Sequence, residues 1–170
     1  MTPNDAVLIR RAESRDASSL GRLGAALVRA HHAFDAQRFL TPGPQLEDGY
    51  AHFLGVQLAA ADVAIFVAEQ AGAIVGYIYA GVEPYSWKEL RDVAGFIHDV
   101  IVEPEARRLG VATRLIETAA AWLTARGVPR VMLWTAHKNQ EAQVLFEQLG
   151  FRRTMIEMTR ESPVDPAASR

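Results

Sequence analysis

The 170 residues are 49% apolar and 22% charged, which suits one globular domain with a core of its own and not a disordered chain. A formal charge of −2 gives no reason to expect nucleic acid as a partner, and the absence of cysteine excludes disulfides, thiolate metal sites and a cysteine nucleophile. The opening MTPNDAVLIRRAESRD lacks the apolar core of a signal peptide and no apolar run reaches spanning length, so the expectation is a cytoplasmic protein without a membrane partner.

Residues 7–10 open the chain as a short strand, and Ser14 or Asp16 stands where a helix cap belongs. Leu20, Leu23, Leu27 and Ala30 then recur at helical spacing until LTPGPQ breaks the pattern. A second helix is expected over LEDGYAHFLGVQLAAA, weakened by Gly49 and Gly55. Residues 63–68 and 74–82 are rich in β-formers and form a hairpin across EQAGA. EPYSWKELRDVAG is a loop, and FIHDVIV is a third strand stopped by Glu103-Pro104. VATRLIETAAAWLTARG sets Val111, Leu115, Ala119, Trp122 and Leu123 on one helical face, with Gly127 in the position of a C-terminal cap. VPRVMLWTA follows as a strand, NQEAQVLFEQLG as a helix and FRRTMIEMTR as a last strand. ESPVDPAASR is polar and proline-containing, so the domain is expected over residues 1–160 with a flexible tail at 161–170. Consecutive strands at the front imply antiparallel pairing, and β-α-β-α-β at the back implies parallel pairing. The sum is a mixed α/β (α+β) sheet with helices on both faces.

The loop EPEARRLG lies between a strand and a helix. The first N–H groups of a helix have no partner within it, and the helix dipole makes that end positive, so an anion fits there. Gly110 permits a tight turn and close approach, Ala112 keeps the first helical turn slim, Thr113 adds a hydroxyl, and Arg107 and Arg108 add charge. A plain turn with two solvated arginines fits the same residues. A Walker-type nucleotide loop does not, because Gly-Lys-Ser/Thr is missing.

Arg107-Arg108-Leu109-Gly110-Val111-Ala112 resembles the Gln/Arg-x-x-Gly-x-Gly/Ala signature of the GNAT N-acetyltransferase superfamily. Downstream, NQEAQVLFEQLGF is similar to that family's Asn-x-x-Ala-x-x-Leu-Tyr-x-x-x-Gly-Phe block, at a family-like separation. The resemblance is clear over residues 96–152. It implies a splayed central sheet of about six to seven strands that takes acetyl-CoA as co-substrate, with no metal. The diphosphate is then expected on the backbone of Arg108, Leu109, Gly110, Val111, Ala112 and Thr113, with Arg107 beside it. The pantetheine is expected along Val100, Ile101 and Val102, near Asn139 and Phe146.

The implied reaction is attack of an amine on a thioester, which requires the neutral amine and so a base. His98 is the first choice, because imidazole titrates near neutrality and similar histidines occur in arylalkylamine acetyltransferases. Two-residue alternation puts His98 on the same side of its strand as Val102 and turns Asp99, the second choice, away unless the strand bulges. Phe146 departs from the family, whose tyrosine protonates the leaving thiolate. Water, Tyr79 or Tyr85 would have to substitute, or the thiolate leaves unaided. The alternative is an acyl-CoA-binding regulatory module with weak or no turnover. His31, Asp35 and Glu47 near the first two helices, with Glu83 and Tyr85, are expected on the acceptor side, where acids attract a cationic amine. His31 and His32 diverge by about 100° on a helix, which makes a poor metal pair. The expected partner is a small-molecule or peptide amine, and a homodimer is the commonest assembly for such enzymes.

Overall fold

The computed structural model describes residues 6–162, and most of the expected tail at 161–170 lies outside them. The elements are β1 (Leu8–Arg11), α1 (Ala17–Phe34), α2 (Leu46–Gln57), β2 (Val63–Gln70), β3 (Ala73–Glu83), β4 (Ala94–Val102), α3 (Val111–Ala125), β5 (Val131–Leu133) and α4 (Gln140–Gln148). Ala71 and Gly72 join β2 to β3 in two residues, with φ of 50° and 80°. Two successive positive φ angles suit the tight hairpin turn whose twist matches that of the strands.

The sheet runs β1-β2-β3-β4-β5, antiparallel throughout except for the parallel β4–β5 pair. On one face, Leu20 and Leu23 of α1 and Leu54 of α2 pack on Ile65, Val67, Tyr77 and Tyr79. On the other, Val111, Leu115, Ala119 and Leu123 of α3 and Phe146 of α4 cover Phe66, Ile78 and Ile97. Each large side chain so buried contributes about 1.5–3 kcal/mol. Asp16 is buried where β1 turns into α1, and Arg10 grips both of its oxygens at 2.8 and 2.9 Å.

Five strands form where six to seven were expected. The shortfall includes FRRTMIEMTR, which takes no regular structure among the described residues. Met155 and Ile156 are neighbours, so they point to opposite faces of any strand there and neither face becomes the apolar one. Both remain exposed, at 78% and 82%.

Two irregularities in β4 shape the site. β5 pairs with it only at Gly95, Phe96 and Ile97, so the strands part beyond that point. Against β3 the register slips: Tyr79 faces Asp99 while Ala80 faces Ile97, which leaves His98 as the extra residue of a bulge.

Candidate active site

The split between β4 and β5 is a slot of about 430 Å³. Ile97 to Val100 line one wall, Leu133, Trp134 and Thr135 the other, and Asn139 and Phe146 close it. At the start of α3, Arg114 is the first residue whose N–H reaches the carbonyl of a preceding turn, Gly110 O at 3.1 Å. Among the described residues no acceptor meets the N–H of Arg108, Leu109, Gly110, Val111, Ala112 or Thr113, and no side chain caps the helix. Arg108 and Gly110 hold left-handed backbone, with φ of 61° and 72°. For Gly110 this is cheap; for Arg108 it is a conformation that side chains rarely adopt. The two arginines divide their roles. Arg107 Nε donates to Val102 O at 3.1 Å and ties the loop to its own strand, whereas Arg108 is exposed.

The bulge turns His98 onto the α1/α2 face, so the expected alternation between His98 and Val102 is broken. His98 stacks on Tyr79 and Phe96, with ring centroids 4.7 and 5.0 Å away, while Val102 packs with α3. Asp99, across from Tyr79, faces the same side as His98. His98 Nε2 lies 3.0 Å from Glu83 Oε1. With that nitrogen carrying the proton toward the carboxylate, Nδ1 keeps a free lone pair.

Asp99 accepts hydrogen bonds from Tyr50 Oη at 2.6 Å and Tyr77 Oη at 2.9 Å, both on Oδ2. Oδ1 has no hydrogen-bond partner among the described residues. Burial pushes the Asp99 carboxyl up, while the two hydroxyls and the nearby histidines pull it down. Tyr50 and Tyr77 are themselves pushed up, first by burial and then by the Asp99 charge, so both keep their protons and donate.

The residues expected on the acceptor side scatter. His31 lines the cleft with His98 and Asp99, its Nδ1 within 2.9 Å of Leu27 O. Asp35 braces the turn that follows α1, its side chain accepting from the N–H of Gln37 and Arg38 at 3.1 and 3.2 Å. Glu47 pairs with Arg29. Glu83, expected to meet substrate, meets His98 instead. Tyr85 is 62% exposed, touches Trp87 and lines neither cleft. It is therefore badly placed to replace the missing acid. Tyr79 stacks on His98 and donates toward Gln57 Oε1 at 3.3 Å. No group of described residues could hold a metal ion.

Sequence reasoning missed Tyr50, Tyr77 and Thr135. Nothing local marks the tyrosines as partners of Asp99, because they come from α2 and β3. The Thr135 hydroxyl is buried in the slot wall without a hydrogen-bond partner. Asn139 caps α4 through Oδ1, which accepts from Ala142 N at 3.3 Å, leaving its amide NH2 to meet a ligand. Phe146 lies 7% exposed at the slot's end and presents only carbon.

A family model described as "Acetyltransferase (GNAT) family" matches residues 27–151. Mycothiol acetyltransferase of Thermomonospora curvata is 33% identical over 99 residues, 58% of this chain and 31% of that protein. The chain thus spans about a third of that relative. YhfO of Bacillus subtilis, an uncharacterized N-acetyltransferase, is 28% identical over 145 residues, covering 84% of this chain and 88% of its own. An aminoglycoside N-acetyltransferase, AAC(6')-Iy, solved in complex with CoA, superposes with a TM-score of 0.75 at 21% identity, over 96% of this chain and 99% of the other. At that identity the likeness is one of fold.

Proposed function

The chain belongs to the GNAT acetyltransferase family, and on that premise we propose that it moves the acetyl group of acetyl-CoA to a primary amine of a small molecule or peptide by direct attack in a ternary complex. Residues 1–160 act in it as one domain. The observation that carries the reading is the run of unpaired amides from Arg108 to Thr113, opening beside the β4–β5 split. Acetyl-CoA, the family's co-substrate, fits both features. Its diphosphate satisfies N–H groups that the fold leaves open, with the positive end of α3 behind them. Its pantetheine arm follows the edge of β4 at Val100 to Val102, past the amide of Asn139.

His98 acts as the base. The amine gives one proton to Nδ1, and its lone pair forms the C–N bond. The C–S bond then breaks and the electron pair leaves on the CoA sulfur. Glu83 holds the other ring nitrogen and supports the imidazolium that forms, so it is a positioning residue. Asp99, already accepting two hydroxyl hydrogens, serves as a fixed anion. Thr135 Oγ–H stands in the slot where the family's tyrosine is absent, and solvates the departing thiolate by hydrogen bonding. A positioned base contributes on the order of 10²–10⁴ in rate.

Phe146 supports a second reading, an acyl-CoA-binding module that turns over little. Calorimetry with acetyl-CoA and a thiol-release assay over an amine panel separate the two. We expect binding and amine-dependent release, a loss of about a hundredfold or more in His98→Ala, and faster release in Phe146→Tyr. Binding with no release from any amine favours the module. A His98→Ala rate and pH profile equal to wild type removes His98 from its role.

A further inference from the structure

The acceptor cleft says more than "amine". It opens between the end of α1, the segment that follows it and β4, with a volume of about 450 Å³. Leu27, Val28, Phe39 and Leu40 supply its apolar walls, His31 and Tyr50 complete them, and Asp99 lies beside His98. Leu40 is 72% exposed at the rim.

The charges around it are largely committed. Glu83 is taken by His98, Glu47 by Arg29, and Asp35 by two turn amides. Glu157, on the segment after α4, is held by the guanidinium of Arg38. What remains open in the cleft is one carboxylate oxygen, Asp99 Oδ1. A polycationic acceptor needs several anions, and a polyhydroxylated one needs free hydrogen-bonding walls. Beyond Asp99 the polar groups of this cleft are His31, Tyr50 and His98; the Tyr50 hydroxyl is given to Asp99, His98 Nε2 is held by Glu83 and His31 Nδ1 lies against Leu27 O, and the rest of the lining is carbon.

Resting on the acetyltransferase reading, we infer that the acceptor is a monoamine with an apolar body, of the alkylamine or arylalkylamine class, its ammonium received by Asp99 and its body lodged against Leu27, Val28, Phe39 and Leu40. Tyr50 and Tyr77 fix the carboxylate so that its free oxygen faces the incoming nitrogen. His98, on the same face, takes one proton from the ammonium and so frees the lone pair for attack; once the C–N bond has formed and the C–S bond has broken, the second proton of the nitrogen goes to the departing CoA sulfur, leaving the amide and the CoA thiol. The apolar body is desolvated by the walls, which is where the selectivity arises.

The test measures kcat/KM at saturating acetyl-CoA for 2-phenylethylamine, hexylamine, spermidine, kanamycin and a peptide with a free N-terminus. The apolar monoamines should exceed the others by at least about tenfold, as burial of one apolar side chain's worth of surface allows. Leu40→Asp adds a second anion at an exposed rim position and leaves the core alone. It should shift the ratio toward spermidine by roughly three- to fivefold, the scale of an exposed ion pair. Faster turnover of kanamycin, spermidine or the peptide overturns the inference while leaving acetyl transfer intact, and so does a ratio unmoved by Leu40→Asp. Thiol release from no amine, with acetyl-CoA still bound, removes both readings together.

Discussion

A Cβ at Gly24 would stand 2.0 Å from Cδ1 of Tyr50, so the tyrosine ring occupies space that only a glycine on α1 leaves open. That contact brings the Tyr50 hydroxyl to Asp99. Packing of two helices and the state of a buried carboxylate are therefore one problem. Gly24→Ala should cost about 1–3 kcal/mol through overpacking. It should also raise KM for the amine while leaving acetyl-CoA affinity unchanged. Gly49 is the control: it is exposed on α2 with nothing near a new Cβ, so Gly49→Ala should add about 1 kcal/mol from helix propensity alone. Urea unfolding and steady-state kinetics on both variants check the contrast.

Gly110 tests the other half of the site. Nothing lies within 4 Å of a Cβ built there, but its φ is +72°. Gly110→Ala should cost about 1–2 kcal/mol for left-handed backbone. The added methyl also stands on the proposed approach of the diphosphate, so on that reading acetyl-CoA affinity should fall more than stability does. Calorimetry separates the two effects. An unchanged dissociation constant argues against diphosphate binding at these amides.

The difference between these glycines tracks what was legible beforehand. The open amides at residues 108–113 follow from helix-end physics that acts within one turn, so a dozen letters suffice to expect them. So does the hairpin, whose two turn residues sit between β-rich runs. The bulge at His98 was visible only as a condition, because alternation cannot say where a register slips. Asp99 joins Tyr50 and Tyr77 across three elements, and no local pattern names such partners. The pairing of Glu83 with His98 arises only once β3 and β4 align, so no local pattern shows it. FRRTMIEMTR reads as a strand by alternation, yet a strand also needs a neighbour to pair with, which alternation does not specify.

Acid stability should centre on Asp16. Arg10 holds its carboxyl below the usual range through a two-point hydrogen bond, with the Glu13 N–H adding to it. The stabilisation is therefore full above the unfolded value of about 3.9 and is lost as pH falls through the lower folded value. Asp16→Asn should cost about 3 kcal/mol at neutral pH, because it leaves Arg10 short of its main partner. The gap between variant and wild type should narrow below about pH 3.9. Thermal melts at three pH values across that range measure it, and a gap that stays constant with pH removes Asp16 as the source.

Asp99 runs in the opposite direction. Burial, the largest influence on it, holds the carboxyl above its ordinary value. The folded protein then binds that proton more tightly than the unfolded chain. The stability this gives is full below about 3.9 and is lost as pH rises through the higher folded value. Asp99→Asn abolishes the loss, so the variant should gain on wild type between about pH 4 and pH 7 in urea unfolding. If Asp99 receives the ammonium as proposed, the same change should raise KM for the amine about tenfold or more, the scale of a charge-assisted hydrogen bond. A buried carboxylate that strains the fold at working pH and yet binds substrate is the pattern of a residue retained for its chemistry. If Asp99→Asn instead lowers stability more at pH 7 than at pH 4 and spares KM, Asp99 is a structural anchor.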